Sequence, residues 1–298
     1  LQSLPARCET FPPMIRFFYD KTGVCRGKGD KDMPQGPLIY RQRLITRATH
    51  WVWAVCLFFL LLTGLQIFNA HPALYIGAQS GFEFDNAVLT ITAQQADDGT
   101  LKGITTVLGH SFDTTGFLGA SGDEARAFPA ALTIPSYQSL ATGRTIHFFF
   151  AWLLVGTLSL WLLASTLNGH LRQLIPSLAD LRALPRDLAN HARLRFHHSA
   201  NYNVLQKLAY AGVLFVALPL MIATGLAMSP SFNATAPWLL DLFQGRQTAR
   251  SLHFITMMAL VAFFVVHMLM ILAAGPLNEL RSIVTGWYRT DTNGDRHD

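Results

Sequence analysis

Four histidines stand in or at the ends of long apolar stretches: His50, His147, His253 and His267. An ionisable side chain inside a membrane helix is costly and marks a functional site. One such residue could be an ordinary hydrogen-bonded core histidine, but four call for a shared reason. Imidazole serves as a metal ligand or a proton carrier. A proton relay would recruit Asp or Glu as well, and these stretches contain none. Tetrahedral zinc would draw its ligands to one depth. His253 and His267 instead lie fourteen residues apart, about four helical turns and roughly 21 Å along one face.

The elements that must carry them follow from composition. The chain has 298 residues, 51% hydrophobic and only 14% charged, unlike a soluble domain. Four segments approach the roughly 20 residues needed to cross a bilayer core, at about 50–69, 144–167, 205–228 and 250–274. The expected fold class is all-α, an integral membrane four-helix bundle with a long extracytoplasmic loop, 70–143, between helices 1 and 2. That loop could be a docking or capping element or a poorly ordered insertion. A cytoplasmic extension over 1–37 and a tail over 291–298 flank the four-helix domain at 38–290. The leucines and Ile175 of the connection between helices 2 and 3 fall at helical spacing and suit the inner interface. No solenoid-type repeat is visible.

Arginines set the orientation. Arg41, Arg43 and Arg47 precede helix 1, and Arg172, Arg182, Arg186, Arg193 and Arg195 lie between helices 2 and 3. The connection between helices 1 and 2 is acidic, with only Lys102 and Arg126 as cations. The positive-inside rule puts both termini in the cytoplasm of a bacterial inner membrane. The net charge of +5 fits a basic inner face and membrane lipid, with no nucleic-acid motif.

Depth then sorts the histidines. Helix 1 starts at the inner face with His50, whereas helices 2 and 4 start at the outer face with His147 and His253; His267 returns to the inner level. The pairs are His147 with His253 outside and His50 with His267 inside. Two imidazole pairs between facing helices are what two six-coordinate b-type haems require.

A second regularity concerns Arg47, Arg144 and Arg250, each three residues before a histidine that is followed by an aromatic residue. Residues three apart share a helix face. Each arginine would sit one turn nearer water, placed to pair with haem propionates. His267 has Phe264 at that position, deeper in the membrane. At the inner end of helix 3, Asn203, Gln206 and Lys207 could hydrogen-bond a quinone, although Asn203 could equally be a helix cap. Gly64, Gly156, Gly212 and Gly225 would allow close approach within the spans. Cys8, Cys25 and Cys56 form neither a CxxCH site nor a four-cysteine cluster.

On RATHW, LLTGL, GRTIHFFFAW, NYNVLQKLAY, the His253–His267 pair and GPLNELRSIVTGWY, the chain resembles the bacterial cytochrome b561 and nickel-hydrogenase b-type cytochrome family. The similarity runs from about Leu38 to Tyr288 and includes membrane subunits of formate dehydrogenase and thiosulfate reductase. It implies His50 with His267 at an inner haem iron, His147 with His253 at an outer one, and a menaquinone or ubiquinone site near the inner haem involving Asn203 and His267. Leu205 replaces a glycine of the formate dehydrogenase subunit. The resemblance implies an electron-transfer subunit between a quinone pool and an extracytoplasmic partner such as a molybdopterin oxidoreductase. Alternatives are a hydrogenase cytochrome subunit and a stand-alone quinone-linked superoxide oxidase.

Overall fold

A computed structural model describes residues 36–81, 85–192 and 204–290. Most of the N-terminal extension, the C-terminal tail and Asn203 lie outside the described residues. Four helices are long and apolar enough to cross a membrane. They are α1 (Leu44–Phe68), α2 (Leu140–Leu167), a third helix over Val204–Met228, and, after the short helices α7 (Pro230–Thr235) and α8 (Trp238–Leu242), α9 (Arg246–Ala274). Of these, α1, α2 and α9 begin a few residues earlier than their apolar runs, because helical backbone continues through the flanking polar turn that holds the arginine.

Local chemistry sets the helix ends. The Ser139 hydroxyl caps α2 by accepting from the Thr142 N–H at 3.3 Å. The third helix consists of α5 (Val204–Gly212), a π turn over Val213–Ala217 and α6 (Leu218–Met228). Pro219 has no N–H to offer the Phe215 carbonyl, and the backbone widens there, with the Leu218 N–H reaching Val213 instead. Gly245 precedes α9 at φ +118°, where a Cβ would stand 2.6 Å from the Ala78 backbone. Only glycine satisfies both the angle and the approach.

The first two spans form one antiparallel pair. The indole N–H of Trp53 donates to Thr157 at 3.1 Å and that of Trp161 to Thr46 at 3.3 Å. Cys56, Leu154, Leu158, Trp161 and Leu218 form the buried core between these helices and the third. Outward-facing Phe58, Phe149, Trp152, Phe264 and Leu272 are exposed, as lipid contact requires.

The connection between α1 and α2 is not a loop, and the all-α expectation is corrected on this point. It contains β2 (Ala73–Tyr75), β3 (Ala87–Gln95), β4 (Leu101–Val107), β5 (His110–Asp113), β6 (Gly119–Ser121) and β7 (Glu124–Arg126). The first four make an antiparallel meander in sequence order, and the last two a hairpin. This β layer is seated on the end of the bundle where α1 finishes and α2 and α9 begin. Phe68, Leu74, Ile91 and Ala127 pack there, and the Ser251 hydroxyl donates to the Tyr75 carbonyl at 2.6 Å.

Arg126 is the polar anchor, only 6% exposed. It donates to the Ser136 carbonyl at 2.7 Å, Gln66 Oε1 at 3.0 Å, Thr133 Oγ1 at 3.1 Å and Glu124 at 3.3 Å. Gln66 in turn donates to the Tyr137 carbonyl at 3.1 Å.

At the opposite end, the short helices α3 (Leu171–Leu174) and α4 (Leu178–Ala192) follow α2. The ribbon of β1 (Leu38–Tyr40) and β8 (Trp287–Arg289) closes the chain's flanks beside α10 (Pro276–Thr285).

Replacing Arg126 with leucine strands several buried acceptors. We expect a loss of about 2–4 kcal/mol in the seating of the β layer. Limited proteolysis should cut within 69–139 faster than in the parent while helical circular dichroism is retained. Equal resistance in the variant would show that apolar packing alone seats the layer.

Candidate functional site

The bundle brings His147 of α2 and His253 of α9 face to face, with ring centroids 6.5 Å apart and planes 56° apart. Two imidazoles sharing one ion at the usual metal–nitrogen distance of about 2 Å stand about 6 Å apart centre to centre. The donor set therefore fits a six-coordinate iron between them. Thr63 Oγ1 of α1 lies 3.0 Å from His147 Nδ1, and Thr224 Oγ1 of α6 lies 2.9 Å from His253 Nδ1. With Nδ1 engaged on the outer side of each ring, Nε2 is the nitrogen available to a metal.

His50, in the first turns of α1, and His267, in the last turns of α9, both stand toward the end of the bundle away from the β layer. His267 stacks on Phe263 with centroids 5.7 Å apart, and His50 meets Trp51 edge-on at 5.6 Å. His50 Nδ1 is buried without a hydrogen-bond partner, an orphaned atom of the kind a bound group accounts for. Among the described residues, no three His, Cys, Asp or Glu side chains converge on one point. The histidines meet only in twos.

The three arginines are placed differently. Arg144 is exposed, with its guanidinium 5.6 Å from the Phe148 ring centre. Arg250 lies the same distance over Phe68 and donates to the His71 carbonyl. Arg47 donates to the Val284 carbonyl, and its Nε is buried without a partner. Lys207 is held by Asp180 of α4 at 2.9 Å. The Ser177 N–H, and then Lys207, push the Asp180 carboxyl down to about 2. The Asp180 carboxylate stays ionised at neutral pH.

Three features lay outside the sequence reading. Thr63 and Thr224 escape it because a threonine in an apolar helix ordinarily satisfies its hydroxyl on its own backbone. Their signal is the Thr-Gly-Leu triplet in both α1 and α6. The third is His71, just beyond α1, which stacks on Tyr75 at 5.7 Å with Nε2 buried and unpartnered.

A family model for prokaryotic cytochrome b561 matches residues 41–286, from before α1 to the end of α10. The chain belongs to this family. Its members bind b-type haem and act in membrane electron transfer, and this chain is a multi-pass membrane protein of that kind. One curated relative, from Azospira oryzae, is named as a candidate protein-methionine-sulfoxide reductase subunit, YedZ1. It is 33% identical over 128 residues, covering 42% of this chain and 62% of the relative. The chain thus spans somewhat under two thirds of that protein.

Burial, and then the neighbouring Arg250, hold His71 below its ordinary value of 6.5. In the unfolded chain His71 takes up a proton near 6.5, whereas in the fold it resists. The stability gained by packing it neutral is complete above 6.5 and declines as pH falls from there toward the lower folded value. The melting temperature in detergent should drop between pH 7.5 and 5.5 by more in the parent than in His71→Gln. Equal slopes would exclude His71 as the source.

Proposed function

We propose that the chain is the membrane electron-transfer subunit of an oxidoreductase complex, holding two b haems and linking a quinone pool to a partner catalytic subunit. The facing His147–His253 pair carries this reading, with each Nδ1 held by a threonine of a neighbouring helix and each Nε2 left to a metal. Such an arrangement suits a low-spin iron that exchanges single electrons without binding substrate. His50 and His267 would hold the second iron, about four turns of α9 away. Haem, when bound, supplies one-electron redox chemistry at two depths.

This chain's residues do the remaining work. Arg144, exposed at the start of α2, is free to meet a propionate, and Arg250 and Arg47 lie at the corresponding places in α9 and α1. Quinone would bind at the end away from the β layer, contacting Gln206, Lys207, Asn203 and His267. The Lys207–Asp180 pair at that end keeps charged groups beside the site. Orientation follows the arginines flanking α1 and α4, with both termini cytoplasmic and the β layer outside the bacterial inner membrane.

The partner would approach the β layer, beside the outer pair. The name of the Azospira relative supports an oxidoreductase catalytic subunit as the partner, and the family resemblance favours one of the molybdopterin class. Co-purification from membranes should yield such a subunit in stoichiometric amount. An isolated chain that turns over superoxide with quinone contradicts the subunit role.

A pyridine haemochrome assay on the purified chain should find two b haems. His147→Ala and His253→Ala should each remove one and the same haem, and His50→Ala and His267→Ala the other. A variant series in which His147 and His253 remove different haems refutes the pairing.

A further inference from the structure

Thr63 and Thr224 hold the two outer histidines in matching ways. Both threonines are fully buried. The Thr63 hydroxyl donates to the Phe59 carbonyl at 2.6 Å, and the Thr224 hydroxyl to the Leu220 carbonyl at 2.7 Å. A hydroxyl has one hydrogen to give. With that hydrogen committed to its own helix, each oxygen has only lone pairs for the imidazole 3.0 or 2.9 Å away. Nδ1 must therefore carry the proton and donate, and Nε2 is left unprotonated.

The match extends further. The residue after each threonine is glycine, and a Cβ at Gly64 or Gly225 would stand 3.5 Å from Cε1 and 3.9 Å from Nδ1 of its histidine. Each half of the bundle thus pairs a Thr-Gly-Leu helix with an Arg-x-x-His-Phe helix: α1 with α2, and α6 with α9. Incidental packing threonines would not reproduce the same contact, hydroxyl commitment and neighbouring glycine in two separate helix pairs.

We propose that Thr63 and Thr224 are positioning residues for the outer haem, which fix the Nδ1–H tautomer of both axial histidines and lower that haem's reduction potential. This rests on the assignment of a haem to the His147–His253 pair. An acceptor on Nδ1–H makes an imidazole a stronger donor to iron. The stronger donor favours the ferric form, so the couple becomes harder to reduce.

The test uses the full chain purified in detergent, with Thr63→Val, Thr224→Val and the hydroxyl-retaining Thr63→Ser and Thr224→Ser. Haem content is read by pyridine haemochrome, the two midpoints by optical redox titration, and axial ligation by electron paramagnetic resonance. Each valine variant should raise one midpoint by a roughly threefold to tenfold change in the reduction equilibrium, about 30 to 60 mV at 59 mV per decade. The other midpoint should stay in place, and serine should restore the parent value. Should valine cost the haem altogether, retention in serine still assigns the role to the hydroxyl. Loss in both would show that the site needs the whole threonine side chain for packing, with no separate role for the hydroxyl, and overturn the proposal. Parent-like midpoints and spectra in both valine variants also overturn it. Failure of the underlying haem assignment shows separately, in the parent background, if His147→Ala and His253→Ala do not remove one common haem.

Discussion

An imidazole buried among apolar helices needs a polar neighbour, and the way α1 and α6 meet that need organises the bundle. A carboxylate facing Nδ1 would bury a charge at considerable cost. A threonine hydroxyl is neutral and already tied to its own helix, so it presents an oriented acceptor with little further ordering. The contact spans Thr63 to His147 and Thr224 to His253. It therefore fixes the register of α1 against α2 and of α6 against α9, with Gly64 and Gly225 lying beside each ring. Two pairs registered in this way meet with their histidines opposed. The facing geometry is thus a consequence of helix packing within each pair.

The β layer serves the same end of the molecule. It is covalently continuous with α1 and α2, and it also reaches α9 through Ser251, Thr248 and the close approach of Gly245 to Ala78. Arg126 ties β7 to Gln66, one turn beyond Thr63 on the same helix. Movement of the layer would therefore be felt at the threonine that holds His147. The anchor of the layer and the threonine that holds His147 thus share one helix, α1.

The sequence made the spans legible, since apolar length alone reveals a membrane helix. The histidine depths were also readable, because direction of travel and helical rise are simple arithmetic. The Arg-x-x-His pattern located the helix starts but not what each guanidinium does: Arg47 and Arg250 bind backbone carbonyls from segments distant in sequence, Val284 and His71. The β layer was hidden for a different reason. Its alternation in Val88-Leu89-Thr90-Ile91-Thr92 and the Asp98-Gly99 turn are ordinary strand and hairpin signals, but they sit inside a polar connection whose composition also suits a loop. The threonines were hidden because their partners lie on another helix, 84 and 29 residues away.

The internal correspondence between the two helix pairs holds at the end beside the β layer and stops short of the opposite end. Counting fourteen residues on from His253 along α9 reaches His267; the same count from His147 along α2 reaches Trp161. Trp161 is 2% exposed, packs edge-on against Trp53 and donates its N–H to Thr46. It belongs to the core that joins α1 to α2 and is closed to any ligand. The partner helices diverge as well, because the π turn at Val213–Ala217 shifts the register of the third span below Thr224. The His147–His253 pair is therefore built from equivalent positions of both halves, whereas His50 and His267 belong to α1 and α9 alone. At the corresponding end of the third span, the start of α5 carries Gln206 and Lys207 in place of a histidine.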